Sequence, residues 1–418
     1  MSVQTDLKIN FSRLRDDIEE LSHIGRDADR GIYRMAFSDA DMQARQWLLH
    51  QMKQAGMEAR LDGAANVFGR VNHREGAPAV MTGSHLDTVP AGGHLDGALG
   101  VLVGLECLRR VQEEKINTRY PMELVAFSDE EGRFGGMLGS QAICGEITPH
   151  MIHTASDLKG ITLMDAMREH NMDGMQILQA RRNPQSVHAF LELHIEQGPV
   201  LDRMGMEAGI VEFITGLFKW SVRLIGAADH AGTTPMDMRR DSLGGLAEFA
   251  GEFPRILEEH GSKDSKATIG RVELFPGSAN TVPGQVEFSL DVRDTDPAVL
   301  DDLAEAFRRT LSALARRRQL MFEFDILSEI TPVPCAPDII ETIARAAEDL
   351  HIKAHRMPSG AAHDAQMMAK LAPTGMIFVP SKDGRSHSPA EWSHWEDIEK
   401  GANLALHTLL RLAEAEQT

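Results

Sequence analysis

Residues 77–114 read APAVMTGSHLDTVPAGGHLDGALGVLVGLECLRRVQEE. The stretch 77–84 is a short apolar run of strand length, and 98–114 is an apolar-rich segment of helix length. A loop containing Gly and Pro joins them. A strand that feeds a helix through a loop is the repeating unit of an α/β fold. The loop itself carries His85, Asp87, His94 and Asp96, an unusual density of groups that can ligate or move protons.

Working outward, short apolar runs alternate with helix-like segments from about residue 60 to 200 and again after 330. PMELVAFS (121–128) runs into Asp129–Glu130–Glu131, VHAFLELH ends at His194, and TGMIFVPSKDGRS leads to His387. Residues 1–60 read as helical, with Ser38 or Asp39 as a cap and Gly56 as a stop. The expected fold class is α/β with a mainly parallel sheet. Residues 217–328 differ. LFKWSVRLIG alternates, with Trp220, Val222 and Leu224 on one face, and QVEFSLDVRD alternates likewise. With a helix-like stretch kinked at Pro254, a run at 267–275, a helix over 297–318 and the run MFEFDIL, the order is β-α-β-β-α-β. That is the split βαβ, ferredoxin-like α+β arrangement. The expected organisation is therefore a discontinuous catalytic domain, 1–215 with 329–418, and an inserted domain, 216–328.

Composition narrows the partners. A formal charge of −19 argues against nucleic acid and anionic membranes, which require clustered Lys and Arg. No apolar run approaches the roughly 20 residues that span a bilayer, and MSVQTDLKIN shows no basic then apolar leader pattern. Three cysteines, Cys107, Cys144 and Cys335, far apart and in no CxxC pair, suit a reducing compartment. The expected location is the cytoplasm.

Taken singly, the polar clusters say little: a lone His is commonly a hydrogen-bonded core residue, and DEEG is commonly a solvated turn. Four such clusters at the carboxyl ends of four expected strands carry more, because ligands of open α/β sheets bind at that edge. Imidazole and carboxylate together suit Zn, Mn, Co or Ni. His85, Asp96, Glu131, His194 and His387 offer enough ligands for two ions if one carboxylate bridges them. Water held by two cations is acidified toward neutral pH. Glu130, beside a ligand but not needed as one, is the candidate base. Asp87, two residues beyond His85, is expected to accept that histidine's other ring N–H.

The sequence resembles the dinuclear metallohydrolases that include aminoacylases and co-catalytic zinc carboxypeptidases, and within them the hydantoinase/carbamoylase branch. GSHLDTVPAGGHLDG, SDEEGRF, LELHIEQGPVL, ADHAGTTPMDMRRD, PGSANTVPG, SGAAHDA and SHSPAEW carry the resemblance, in order from about 83 to 393. It implies two divalent ions per subunit, zinc foremost and manganese, cobalt or nickel as alternatives, on His85, Asp96, Glu131, His194 and His387, with Asp96 bridging and Glu130 as base. It implies that His230 polarises the substrate carbonyl, reaching the partner subunit's site in a homodimer formed through the inserted lid domain. It implies substrate-binding roles for Gln197, Asn280, Arg293, Gly360 and His363. Arg293 has the geometry for a bidentate clamp on a carboxylate. His94 stands where relatives tend to differ and is expected at the entrance rather than on a metal.

The implied reaction is hydrolysis of the ureido C–N bond of an N-carbamoyl-L-amino acid to the amino acid, carbon dioxide and ammonia. Allantoate amidohydrolase and β-ureidopropionase are alternatives using the same machinery. More distant alternatives are an aminoacylase or peptidase, against which HIEQG and DHAGTTPM speak, and a non-catalytic binding protein, against which the complete ligand and base set speaks.

Overall fold

The computed structural model describes residues 7–414; residues 1–6, read above for a leader, and 415–418 lie outside them. The chain divides into two units, one running to Glu212 and resuming at Pro334, the other Phe213–Val333.

The larger unit is built on a nine-stranded mixed sheet. Its centre is four adjacent strands, Met122–Phe127, Ala79–His85, Val187–Ile195 and Thr374–Val379, each parallel to its neighbour. Residues of the first two are buried along their whole length, as expected of parallel strands covered on both faces. Helix Ala98–Glu113 follows the first loop and lies against Ala79–His85, Phe11–Ser22 and Trp395–Leu412, which explains why nearly all of its face is apolar. Its Gly100 lets it approach closely: a Cβ there would sit 2.2 Å from the Leu193 carbonyl oxygen.

The sheet is less parallel than the sequence reading expects. Glu58–Leu61 and Val67–Val71 form an antiparallel pair, and Val67–Val71 runs antiparallel to Met122–Phe127. On the other side Ala208–Ile214 runs antiparallel to Thr374–Val379. The helical reading of residues 1–60 holds for Phe11–Ser22 and for Asp39–Gln54, whose N-cap Ser38 accepts from the Asp41 N–H. It fails at Glu58–Leu61, an edge strand whose residues alternate between exposed and half-buried. Only tertiary pairing distinguishes so short a polar strand from a helix end.

The smaller unit carries an antiparallel sheet in the order Val272–Phe275, Gln285–Asp294, Gly216–Ile225, Met321–Ile330, with Lys266–Thr268 also on Gln285–Asp294. Val286, Phe288, Leu290 and Val292 alternate into a core with Trp220, Val222, Leu224 and helix Pro297–Arg317. Pro254 does more than kink its helix. The segment is two helices, Ser242–Gly251 and Phe253–His260, with Pro254 in the first turn of the second, where a missing N–H costs nothing. Asp229–His230 and Thr281–Val282 form a small separate ribbon.

Candidate metal centre

The four central strands end at the same sheet edge, and their neighbouring order decides the site. His85 closes the strand Ala79–His85, and the loop after it returns to place Asp96 at the start of helix Ala98–Glu113. Gly97, the residue between, has φ +63°, and a Cβ on it would fall 2.4 Å from the His85 ring, so no other residue fits.

Asp96 is the hub. Its Oδ1 lies 3.1 Å from His194 Nε2 and 3.8 Å from His85 Nε2. Its Oδ2 lies 3.2 Å from His387 Nε2, which is itself 3.5 Å from Glu131 Oε1. Among the potential ligands, His85–Asp96–His194 and Asp96–Glu131–His387 form two trios that share Asp96, while His85–Glu130–Glu131 and Glu192–His194–His363 form two further groups around them. Glu130 Oε2 approaches His85 Nε2 at 3.6 Å.

The ring nitrogens facing away from Asp96 fix the tautomers. His85 Nδ1 lies 2.9 Å from the Asp87 carbonyl oxygen, and His194 Nδ1 lies 2.9 Å from that of Ile195. Carbonyls only accept, so each Nδ1 carries the proton and each Nε2 turns a lone pair toward the Asp96 carboxylate. A lone pair against an anion is favourable only with a cation between them. Without a metal, a proton takes that place: burial lowers His194, but the hydrogen bond and charge of Asp96 outweigh it and lift the imidazole to about 9. The hydrogen bond to Asp96 lifts His387 likewise to about 9. Burial would raise Asp96, yet His194 and His387 hold it well below the ordinary carboxylate range.

The acids have no such relief. Burial pushes Glu131 up to about 8, Asp96 adding to it. Burial, then Glu131, Asp364, Asp87 and Asp96, holds Glu130 well above its usual value. Gln197 donates to Asp96 Oδ2 at 2.8 Å, while its own Oε1 is buried without a hydrogen-bond partner. Crowded carboxylates, aimed imidazole lone pairs and an orphaned amide oxygen are the donor set of a divalent cation site.

Several residues stand differently from the sequence reading. Asp87 orients His85 through its main-chain carbonyl, not its carboxylate; the carboxylate instead accepts the Glu131 N–H at 3.1 Å. Two residues is the right spacing for the chain to fold its own carbonyl back onto the ring. Gln197, expected on the substrate, contacts Asp96, a position set by its φ of +58°. His363 is 2% exposed, packs its ring 4.6 Å from that of His194, and meets Ser359 Oγ at 2.9 Å. Gly360 is exposed beside it. His94 packs against Trp392, and burial holds its imidazole down at about 4, so it stays neutral.

In the smaller unit, His230 Nδ1 accepts from the N–H groups of Gly232 and Thr233 at 3.0 and 3.2 Å. That leaves Nε2–H as a donor, the tautomer needed to polarise a carbonyl. Asn280 accepts the Ala231 N–H through its main chain and Ser278 Oγ through its side chain. Arg293 turns its fork to Asp291, Nε to Oδ1 at 2.9 Å and Nη2 to Oδ2 at 3.2 Å.

Two residues in the quoted motifs went unread. Ser386 Oγ lies 2.7 Å from Asp96 Oδ2 and 2.9 Å from Glu391 Oε2, its single proton bridging the two carboxyl groups. Glu391 Oε1 accepts the N–H groups of Leu95 and Asp96 at 2.8 and 3.0 Å, tying the His387 loop to the Asp96 loop. SHSPAEW contains Glu391, but nothing in its spacing says which loop that carboxylate holds.

The profile of Peptidase family M20/M25/M40 matches residues 81–411. The chain is 39% identical over 415 residues to an N-carbamoyl-L-amino acid amidohydrolase of Geobacillus stearothermophilus, covering 98% of this chain and 100% of that one. It is 35% identical over 417 residues to an allantoate amidohydrolase of Escherichia coli, covering 96% and 99%. Among solved structures, a hydantoinase/carbamoylase family amidase from Burkholderia multivorans superposes with a TM-score of 0.88 at 34% identity, covering 98% and 99%.

Proposed function

Since the chain belongs to Peptidase family M20/M25/M40, in its hydantoinase/carbamoylase branch, we propose that it is a metal-dependent amidohydrolase cleaving the ureido C–N bond of N-carbamoyl-L-amino acids. The observation that carries this is the sharing of Asp96 between two ligand trios. The donors fit two divalent ions, zinc by ligand type, with manganese, cobalt or nickel as alternatives. His85, Asp96 and His194 would hold one, and Asp96, Glu131 and His387 the other. Bound there, such ions supply Lewis acidity and bring a water toward ionisation near neutral pH.

The chain's own groups do the rest. Glu130 accepts a proton from the attacking water at its carboxylate and returns it to the leaving nitrogen. His230, with its proton on Nε2, donates to the carbonyl oxygen as negative charge develops there. Arg293 and Asn280 take the substrate carboxylate, Arg293 exchanging Asp291 for the ligand. Gln197, Gly360 and His363 keep supporting roles around the same substrate. We assign the inserted unit to substrate capture and to homodimer formation. Its edge strands support the second assignment, since Phe275, Ile326 and Leu327 are 45%, 56% and 58% exposed. No helix among the described residues is long and apolar enough to cross a membrane. The free Cys107, Cys144 and Cys335 support a cytoplasmic setting.

Ammonia release from a panel of N-carbamoyl-L-amino acids, N-carbamoyl-β-alanine, allantoate and N-acetyl amino acids tests the reading. N-carbamoyl-L-amino acids should turn over fastest, with activity lost to chelator and restored by a divalent ion. Preference for allantoate, or hydrolysis of the acetyl compounds alone, overturns it.

A further inference from the structure

Four more buried charges adjoin the strand ends that carry His85 and Glu130–Glu131. Arg34, Asp41 and Arg45 are 0% exposed and Asp87 is 1% exposed. Asp41 and Asp87 act on both guanidiniums and Asp62 acts on Arg45 as well, and pairing is the condition under which buried charge is tolerated. Arg45 Nε lies 3.0 Å from the Asp41 carboxylate, and Arg45 Nη2 lies 3.9 Å from Asp87 Oδ1. Asp41 also accepts the Phe37 N–H at 2.8 Å.

What the two arginines grip distinguishes them from an ordinary buried ion pair. Arg34 Nε donates to the Leu86 carbonyl at 2.6 Å, one residue past His85, while its Nη1 donates to the carbonyls of Leu21 and Ile24 at 3.2 and 3.1 Å. Arg45 Nη2 donates to the Phe127 carbonyl at 3.0 Å, three residues before Glu130, and Nη1 donates to Ala65 at 2.9 Å. Phe127 closes the strand paired in parallel with the one that His85 closes. At the end of a parallel ladder these carbonyls have no onward strand partner, and buried carbonyls need donors. A guanidinium, with several fixed N–H groups, satisfies more than one at once. Asp87 then links both strand ends, its main-chain carbonyl on His85 Nδ1 and its carboxylate on the Glu131 N–H.

We propose that Arg34, Asp41, Arg45 and Asp87 form a positioning cluster that sets the affinity of the metal centre, Arg34 by fixing the strand end at His85 and Arg45 the strand end before Glu130 and Glu131. The proposal rests on the metal-centre reading above. None of the four touches a reacting atom; they act through His85 and Glu131. Asp41 and Arg45 share the buried stripe of helix Asp39–Gln54 with Leu48 and Met52, so the helix presents an ion pair where its periodicity calls for apolar residues.

Cobalt binding by the full chain tests this. Co2+ is titrated into the metal-free protein and followed by visible absorption and equilibrium dialysis, with thermal unfolding measured in parallel. The variants are Arg34→Lys, Arg45→Lys, Arg45→Met and Asp41→Asn. Ile343→Ala, in the core of helix Pro337–Asp349, serves as a control destabilised at a distance from the centre. The cluster variants should bind Co2+ about tenfold or more weakly, with a shifted ligand-field spectrum, whereas Ile343→Ala loses stability but keeps the wild-type affinity and spectrum. Should Arg45→Met fail to fold, the lysine and Asp41→Asn variants decide. Wild-type affinity and spectrum in folded cluster variants, with only the melting temperature lowered, overturns the proposal. Absence of Co2+ binding by the wild type overturns the metal-centre reading itself, which is a separate outcome.

Discussion

A histidine is a ligand only when one ring nitrogen is free of its proton, and in His85 and His194 a main-chain carbonyl makes that choice. The consequence is a pair of lone pairs on one side of Asp96 and a third histidine with Glu131 on the other. Glu130 lies 3.6 Å from His85 Nε2 and groups with His85 and Glu131 rather than around Asp96, and burial raises its affinity for a proton. That is the condition of a proton carrier rather than of a permanent anion. Glu130→Gln should cut kcat by about 100- to 10,000-fold, while metal analysis of the purified variant finds the wild-type stoichiometry. Loss of metal together with activity would make Glu130 a ligand instead.

At the scale of elements, the site depends on how closely helix Ala98–Glu113 lies on the sheet. Gly100→Ala places a methyl 2.2 Å from the Leu193 carbonyl oxygen, beside His194, and neither backbone can yield cheaply. Denaturant unfolding should show a loss of about 1–3 kcal/mol. The closing helix Trp395–Leu412 carries a pH-dependent contact. His407 Nε2 lies 2.8 Å from the Leu7 carbonyl oxygen, and burial holds the imidazole below its usual 6.5, only partly opposed by that bond. The folded protein therefore keeps His407 neutral where the unfolded chain takes up a proton. Its stabilisation is present above pH 6.5 and is lost as pH falls below it. In His407→Gln, which can still donate to Leu7, the denaturation midpoint should fall less steeply between about pH 7 and pH 5 than in the wild type.

At the scale of the molecule, the two units have separate interiors. The core of Phe218, Trp220, Val222, Phe249, Phe288 and Phe307 draws only on the smaller unit, and all five candidate ligands lie in the larger. Scanning calorimetry of the full chain should resolve two transitions, and residues 213–333 expressed alone should reproduce one of them. Divalent metal should raise only the other, by about 2.7 kcal/mol for each ion bound at a hundredfold excess over its Kd. A single transition, or metal dependence in the isolated fragment, would refute the assignment.

The sequence alone determined most of the elements, those where the local signals agree with one another; Glu58–Leu61 and the break before Pro254 are the exceptions. Apolar runs of strand length, the Ser38 cap and the alternation of Gln285–Asp294 each specify an element without reference to the rest of the chain. It also placed the metal-type side chains at strand ends. What it could not hold is adjacency. That the four strands are neighbours, that Asp96 faces two trios, and that Asp87 acts through its carbonyl are outcomes of register and of loops with left-handed residues at Gly97, Asp129, Gln197 and His387. Arg34 and Arg45 were legible only as charges on helical or loop sequence. Their partners are carbonyl oxygens, which every residue carries alike, so only tertiary structure could decide which ones they hold.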